Sequence, residues 1–151
     1  MKRPETLFIE KVLHQSLFGT NPKLAKEYGT SEVTIDFTYP KEIVDFMSYD
    51  PKKNIIRCYE IKISMQDFHS KAKKSWYGNY NYLVLSKKLY YKQSLDEWKK
   101  EVPKDVGIII VSTDIFDKEV VKKASKRNID DQQISSLKDS LIRRLFYKTC
   151  E

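Results

Sequence analysis

The stretch that decides the fold is EIVDFMSYDPKKNIIRCYEIKIS, residues 42–64. It contains two runs of apolar and β-branched residues, Ile43–Tyr49 and Asn54–Ser64, which are typical of strands. The Asp-Pro-Lys-Lys between them has the composition of a turn. The sequence therefore predicts a β-hairpin.

The hairpin brings ionisable side chains together. Residues two apart on a strand share a face, so Glu60 and Lys62 point one way while Ile61 and Ile63 point into the core. A two-residue loop at positions 52 and 53 pairs positions whose numbers sum to 105, which sets Asp45 opposite Glu60, with Cβ atoms about 5 Å apart. Two carboxylates this close repel unless a cation lies between them, and Mg²⁺ accepts one or two carboxylates together with water and phosphate oxygens.

The spacing (D/E)xK is not specific in itself, because it occurs three times, at Asp50–Lys52, Glu60–Lys62 and Glu97–Lys99. The first lies in a turn, and the third lies in a predicted helix, where positions i and i+2 face apart. Only the second places both side chains on one strand face. The alternative interpretation is a solvated strand face with ordinary surface ion pairs, which contribute little to stability.

The rest of the chain alternates helix and strand patterns around this hairpin. Apolar spacing predicts a helix over residues 5–18, which places Glu10 within it, and a helix near the C-terminus with an apolar stripe from Ile134 to Phe146 capped by Asp130 or Asp131. The predicted order is helix, three strands, helix, strand, helix, strand, then a polar connection and a closing helix. The remaining elements are expected at 33–37, 65–76, 80–85, 86–100 and 106–111.

The composition fits one domain spanning residues 1–151. Of these residues 40% are hydrophobic and 13% aromatic, enough for a core. The net charge of +7 favours a polyanionic partner. No stretch is apolar enough for a signal peptide or a membrane span, so a cytoplasmic protein without membrane contact is expected. Cys58 and Cys150 have no metal-ligand spacing, which argues against a zinc site.

The segment 42–64, together with MQDFHSKAKKSWYGNYNYLVLSKKLY after it, resembles the PD-(D/E)xK nuclease superfamily and in particular MmcB-type DNA-repair proteins and related uncharacterised phage and bacterial proteins. The resemblance implies an α/β fold with a restriction-endonuclease-like α-β-β-β-α-β core, an additional strand and a C-terminal helix. It implies Asp45 and Glu60 as acids binding Mg²⁺ or Mn²⁺, the Ile61 carbonyl as a further ligand, Lys62 as the catalytic lysine and Glu10 as the acid of the first helix. Val44 stands where the superfamily name has proline.

Several neighbours are open to two interpretations. Asp36 is a rival for the strand acid, since a tight loop at positions 40 and 41 would set it opposite Asp45; a solvated strand residue is the favoured alternative. Ser64 either orients the lysine or continues the strand, and Asp67 and Ser70 are capping groups or partners of the site. His69 either assists the site or, as is usual for a lone histidine, is a structural or surface residue.

A basic and aromatic cluster follows the hairpin. The functional interpretation is that its lysines neutralise phosphates while an aromatic ring stacks on a base; the alternative is a solvated helix face with Tyr82 in the core. The candidate substrate-binding residues are Ser64, Lys71, Lys73, Lys74 and Tyr80, with Trp76 and Tyr77 close by.

With these residues in place, the resemblance implies a Mg²⁺- or Mn²⁺-dependent deoxyribonuclease of a bacterial or phage-infected cell, acting in DNA repair, recombination or processing. DNA is the expected partner, and a homodimer or a repair partner protein is left open. The alternatives are a catalytically weak DNA-binding repair factor of the same fold and a phage-encoded protein-binding module. A pure binding role needs neither paired carboxylates nor an adjacent lysine.

Overall fold

A computed structural model describes residues 2–69, 76–112 and 114–151. Within these ranges the six strands form one mixed sheet in the order β1-β2-β3-β4-β5-β6. The helices are α1 (Pro4–Phe18), α2 (Met65–Phe68), α3 (Lys87–Tyr90), α4 (Leu95–Lys100) and α5 (Asp131–Thr149), with a short 3-10 turn at Pro22–Leu24. The strands are β1 (Tyr28–Ile35), β2 (Glu42–Asp50), β3 (Ile55–Lys62), β4 (Tyr80–Ser86), β5 (Gly107–Val111) and β6 (Lys118–Lys122). The molecule is a mixed α/β fold.

Helices cover both faces of the sheet. On one face α1 buries Ile9 and Leu13 against Tyr59 and Ile61 of β3. On the other face α5 buries its apolar stripe, which includes Leu137, against β1, β2 and β3. The helical spacing seen in the sequence of each helix accounts for these single apolar faces. The sheet thus becomes the central layer.

The hairpin of β2 and β3 has the predicted register. The two strands are antiparallel, and their partners run from Phe46↔Tyr59 to Asp50↔Ile55, with numbers that sum to 105. The connection is longer than the predicted two-residue loop, because β2 ends at Asp50 and β3 begins at Ile55. The Asp50 carboxylate accepts hydrogen bonds from the backbone N–H groups of the two turn lysines, which closes the turn.

The third strand changes the direction of pairing. β4 lies parallel to β3, with Lys62 level with Leu85, and β5 lies parallel to β4. The carboxyl ends of β3, β4 and β5 therefore meet at one edge of the sheet, called here the carboxyl edge. In sheets of this kind the groups that follow parallel strands converge on such an edge, which is where ligands bind in open α/β sheets.

The structure corrects three expectations about the elements. The predicted polar connection after β5 contains the strand β6, which pairs antiparallel with β5, so two strands rather than one follow the core. The lysine-rich stretch 86–100 is two short helices, α3 and α4, instead of one amphipathic segment. The first strand begins at Tyr28, five residues earlier than predicted. The remaining strands and the Asp130 cap on α5 are confirmed to within a few residues.

None of the helices in the described ranges combines the length and apolar character that crossing a bilayer requires.

Candidate active site

The site is built where β2 and β3 separate. β2 begins at Glu42 and β3 runs to Lys62, yet their ladder ends at Phe46↔Tyr59. Beyond this pair the Asp45 side chain takes over the pairing, because its carboxylate Oδ2 accepts the backbone N–H of Ile61 at 2.7 Å. The strand twists here as well: Phe46 packs on the α1 side, whereas Val44, two residues earlier, packs on the α5 side. Residues two apart share a face on a regular strand.

Asp45 and Glu60 are in direct contact. Their side chains lie within hydrogen-bonding reach, and this interaction with Glu60 acts to lower the pKa of Asp45. Burial raises the pKa of Asp45; the Ile61 N–H and the nearby Lys62 charge act in the opposite direction without overcoming it. The predicted juxtaposition of the two acids is therefore present, one step past the end of the ladder.

Lys62 is buried, with a relative exposure of 7%. Its ammonium lies 3.6 Å from the Asp67 carboxylate, which is about half-exposed. The position of Asp67 is set by Ser64, which caps α2 by accepting the backbone N–H of Asp67 on its hydroxyl at 3.0 Å. A solvated strand face would leave Lys62 in water, so burial argues against the surface ion-pair interpretation.

Ser64 itself does not continue the strand, because β3 ends at Lys62. Ser64 caps α2, and because it fixes the position of Asp67 it acts indirectly on Lys62, the lysine that it was expected to orient.

Glu10 is drawn into a second cluster of charges. Lys2 forms ion pairs with both Glu10 of α1 and Glu32 of β1. In the β1–β2 register, whose partner numbers sum to 77, Glu32 is level with Asp45. The backbone of Glu32 has φ +56°, a value that L residues rarely adopt, at the level where β2 changes face. Glu10 is thus connected to the Asp45 level through Lys2 and Glu32 rather than by direct contact with the paired acids.

The expectation that Asp36 lies opposite Asp45 is wrong. The connection between β1 and β2 is six residues long, and the register it sets places Glu32 at that level. Asp36 lies beyond the end of β1 and pairs with Arg143 of α5. It is neither a third acid at the site nor a freely solvated strand residue.

A polar cleft of about 390 Å³ opens beside Lys2 and Asp67. It lies between the first residues of α1 and the turn that follows β3. Lys2, Arg3 and Thr6 line one side, while Ser64 and Asp67 are among the residues that line the other. The partner of the buried lysine therefore faces an open space with two cations on its opposite wall.

The predicted substrate-binding residues are only partly accounted for. Ser70, Lys71, Lys73 and Lys74 lie outside the described residues. Tyr80 pairs with Arg57, five positions back from Lys62 on β3, about 16 Å away along the strand. The Arg57 guanidinium lies over the Tyr80 ring, 5.4 Å from its centre. The structure does not bring Tyr80 to the paired acids.

The aromatic neighbours have structural partners. Trp76 packs partly buried against the core between β4, β5 and α4, and Tyr77 donates its hydroxyl hydrogen to Glu42. Tyr82 stacks on Tyr59, with ring centres 5.3 Å apart. This confirms the core interpretation of Tyr82. His69 is exposed beside Phe68.

The donor set fits a small, hard divalent cation. The carboxyl groups of Asp45 and Glu60 interact directly, and a cation bound between them would relieve the penalty that burial places on the Asp45 charge. Mg²⁺ and Mn²⁺ favour oxygen ligands and need only one or two carboxylates when water and phosphate fill the other positions. Over the described ranges, no three or more His, Cys, Asp or Glu side chains form a ready-made metal cluster. The Ile61 group seen in contact with Asp45 is its N–H, not the predicted carbonyl.

Sequence reasoning missed Glu32 and left the role of Asp67 open between a cap and a partner of the site. Glu32 carries no local signal, because its position depends on the register between β1 and β2. The contact of Asp67 had a signal, the spacing Ser64-x-x-Asp67, which is a helix-start pattern and fixes the acid one turn after the lysine strand.

Comparisons with known proteins establish the fold and nothing finer. No family model matches the sequence, and no curated protein matches it. Among solved structures, the SPO1766 protein of unknown function from Silicibacter pomeroyi is similar, with a TM-score of 0.69 and 16% identity over 99% of this chain and 90% of that one. Identity this low carries no function between the two chains, so the mixed α/β fold is what the likeness supports.

Proposed function

We propose that the chain is a metal-dependent nuclease with a restriction-endonuclease-like core of the PD-(D/E)xK type, which hydrolyses DNA phosphodiester bonds. The observation that carries the proposal is the contact of Asp45 with both Glu60 and the Ile61 N–H, next to a buried Lys62. Neither a surface ion pair nor a binding module requires two touching carboxylates beside a buried ammonium.

The residues have distinct roles in this proposal. Asp45 and Glu60 would hold Mg²⁺ or Mn²⁺, which supplies a polarised phosphate and an activated water. Lys62 places a positive charge on the same strand face as Glu60, where negative charge develops on the phosphate oxygens during hydrolysis. Asp67 orients Lys62 and keeps its ammonium from collapsing onto the paired acids.

The element order supports the core assignment. From α1 to β4 the chain runs helix, three strands, helix, strand, and the paired acids lie on the second and third of those strands. This is the order that the resemblance implies. Asp67, the partner of Lys62, lines a cleft with Lys2 and Arg3 on its other wall, and cations in such a cleft suit a polyanionic substrate.

The decisive experiment is cleavage of labelled linear, nicked, flapped and four-way DNAs with Mg²⁺, Mn²⁺ or chelator. The test variant is Lys62→Met, which keeps much of the side-chain volume in the buried position; alanine would leave a cavity there. Removing one electrostatic stabiliser commonly lowers the rate about 10² to 10³-fold.

The control is Lys99→Met, because Lys99 belongs to the third (D/E)xK match, is exposed and lies on α4. We expect wild-type cleavage from it. Metal-independent cleavage, or equal cleavage by the Lys62 and Lys99 variants, would refute the proposed site; absence of cleavage by the wild type on every substrate would favour the weakly catalytic DNA-binding alternative.

A further inference from the structure

A basic and aromatic segment lies next to the candidate site on the carboxyl edge. It is Lys87-Lys-Leu-Tyr-Tyr-Lys92, called here the KKLYYK segment, and it begins directly after β4. Because Lys62 is level with Leu85 in the β3–β4 register, Lys87 starts only two residues past that level, on the neighbouring strand. With strands about 4.8 Å apart and a rise of about 3.3 Å per residue, the two Cα atoms lie on the order of 10 Å apart.

The segment is rigidly anchored through its apolar members. Ser86 caps α3 by accepting the backbone N–H of Leu89, and Leu89 is fully buried. The carbonyl of Tyr90 accepts the indole N–H of Trp98 at 2.8 Å, and Trp98 is also fully buried. These anchors fix the backbone, so the side chains between them have a defined place on the surface.

The remaining members of the segment point to solvent. Lys87, Lys88 and Lys92 are exposed, and the Tyr91 ring is 67% exposed. None of the three lysines has an ion pair with an acid in the described part of the chain. The Tyr91 ring meets the Tyr90 ring edge-on, with centres 5.2 Å apart, yet most of it stays in water beside the three lysines, where it adds little to the fold.

We infer that the KKLYYK segment is a contact surface for a single-stranded nucleic acid, with its lysines on backbone phosphates and Tyr91 stacked on a base. This deepens the proposed function and rests on it for the location of the scissile phosphate. A single strand is favoured over a duplex because a stacking ring needs an unpaired base face, whereas the bases of a duplex are already stacked. Three cations at the same edge of the sheet as Lys62 would guide the strand toward the site.

The test measures binding of a fluorescent single-stranded oligonucleotide and of the matching duplex. Fluorescence anisotropy reports the binding across a range of salt concentrations, with chelator present to remove metal. Replacing Lys87, Lys88 and Lys92 with alanine should lower the slope of log affinity against log salt by about 2 for the single strand, at about 0.7 per phosphate contact. The matched control is Lys52→Ala with Lys53→Ala, two exposed lysines in the turn at the opposite end of β3. This control should leave the slope nearly unchanged.

The aromatic contact has its own test. Tyr91→Ala should weaken single-strand binding by about fivefold or more, the range typical of one stacked base, while Tyr91→Phe should bind as the wild type does. Tyr91→Ala should affect duplex binding much less. Two results would overturn the inference. One is a decrease in salt slope per lysine removed that is as large in the turn control as in the segment variant. The other is unchanged single-strand binding by Tyr91→Ala.

Binding in chelator separates this inference from the proposed reaction. If the segment variants lose binding but the wild type never cleaves with any metal, the contact surface stands and the nuclease proposal fails. If Lys62→Met abolishes cleavage while the segment variants bind and cleave as the wild type does, the nuclease stands and the contact surface fails.

Discussion

Replacing Asp45 with asparagine separates the cost of burying a charge from the benefit of binding a metal. Asparagine has the same shape, and its side-chain oxygen can still accept the Ile61 N–H. A hydrogen bond to a carboxylate contributes about 1.5 to 3 kcal/mol and a neutral one about 0.5 to 1.5, so about 1 kcal/mol is lost. Removing a charge that burial disfavours, beside the Glu60 carboxyl, offsets that loss. We expect the metal-free free energy of unfolding to change by less than about 1 kcal/mol.

The metal response should change far more. A cation that binds the folded state stabilises it by about 2.7 kcal/mol when present at 100 times its Kd. For a chain of 151 residues that corresponds to a rise in Tm of roughly 5 to 10 °C. The wild type should show this rise with Mg²⁺ or Mn²⁺, and Asp45→Asn should lose it. Thermal melts with and without chelator, together with calorimetric titration, measure both effects.

Asp36→Asn is the matched control, because Asp36 was the rival strand acid and the structure pairs it with Arg143 instead. It should retain the metal response, although the lost ion pair lowers its stability slightly. A metal response that persists in Asp45→Asn but disappears in Asp36→Asn would refute the assignment of the paired acids. Loss of the response in both variants would show that the cation is held more broadly than by Asp45 and Glu60.

Two further predictions concern charged pairs. Asp67→Asn should lower kcat for DNA cleavage more than it raises KM, because it releases Lys62 without removing a substrate contact. Asp67→Glu should restore part of the rate. Steady-state kinetics of the two variants measure this, and an equal loss of rate in both would indicate a purely structural role. Arg127 holds the pKa of Asp105 below its usual range, so this ion pair stabilises the fold above about pH 4, the usual pKa of an aspartate, and the contribution is lost as the pH falls through the lowered pKa. In urea unfolding, the difference in free energy of unfolding between the wild type and Arg127→Ala should therefore become smaller on acidification. A difference that stays constant would contradict this.

The parts of the fold that the sequence predicts are those set by local chemistry. The β2–β3 register follows from the turn residues Asp50 to Asn54 and from the alternation of side chains along the two strands. Both signals are local, because the turn and the paired strand residues lie close together in the sequence. The α5 helix follows from its apolar stripe and the Asp130 cap. The same local reasoning correctly separates Glu60–Lys62 from the other two matches of the motif.

The parts that could not be predicted depend on pairing between distant segments. The strand β6 has the sequence KEVVK, which shows little apolar character because it is half-exposed at the sheet edge, and only its pairing with β5 defines it. Which residue of β1 lies level with Asp45 depends on the length of the β1–β2 connection. A tight loop would have placed Asp36 there, whereas the six-residue connection places Glu32 there. The place of the KKLYYK segment depends on the parallel crossover, which brings the end of β4 beside the end of β3.

The burial of Lys62 is the strongest physical reason to look for chemistry at this site. Taking an ammonium out of water is expensive, and one half-exposed carboxylate at 3.6 Å compensates only partly for it. An apolar side chain such as methionine in the same place would often be neutral or stabilising. The nearby acids do not remove the difficulty, because the burial that raises the pKa of Asp45 also weakens its value as a counter-charge. A strand in which stability alone decided the residue would have no reason to keep a lysine there, whereas in the proposed reaction a phosphate between the two acids and Lys62 would use that charge directly.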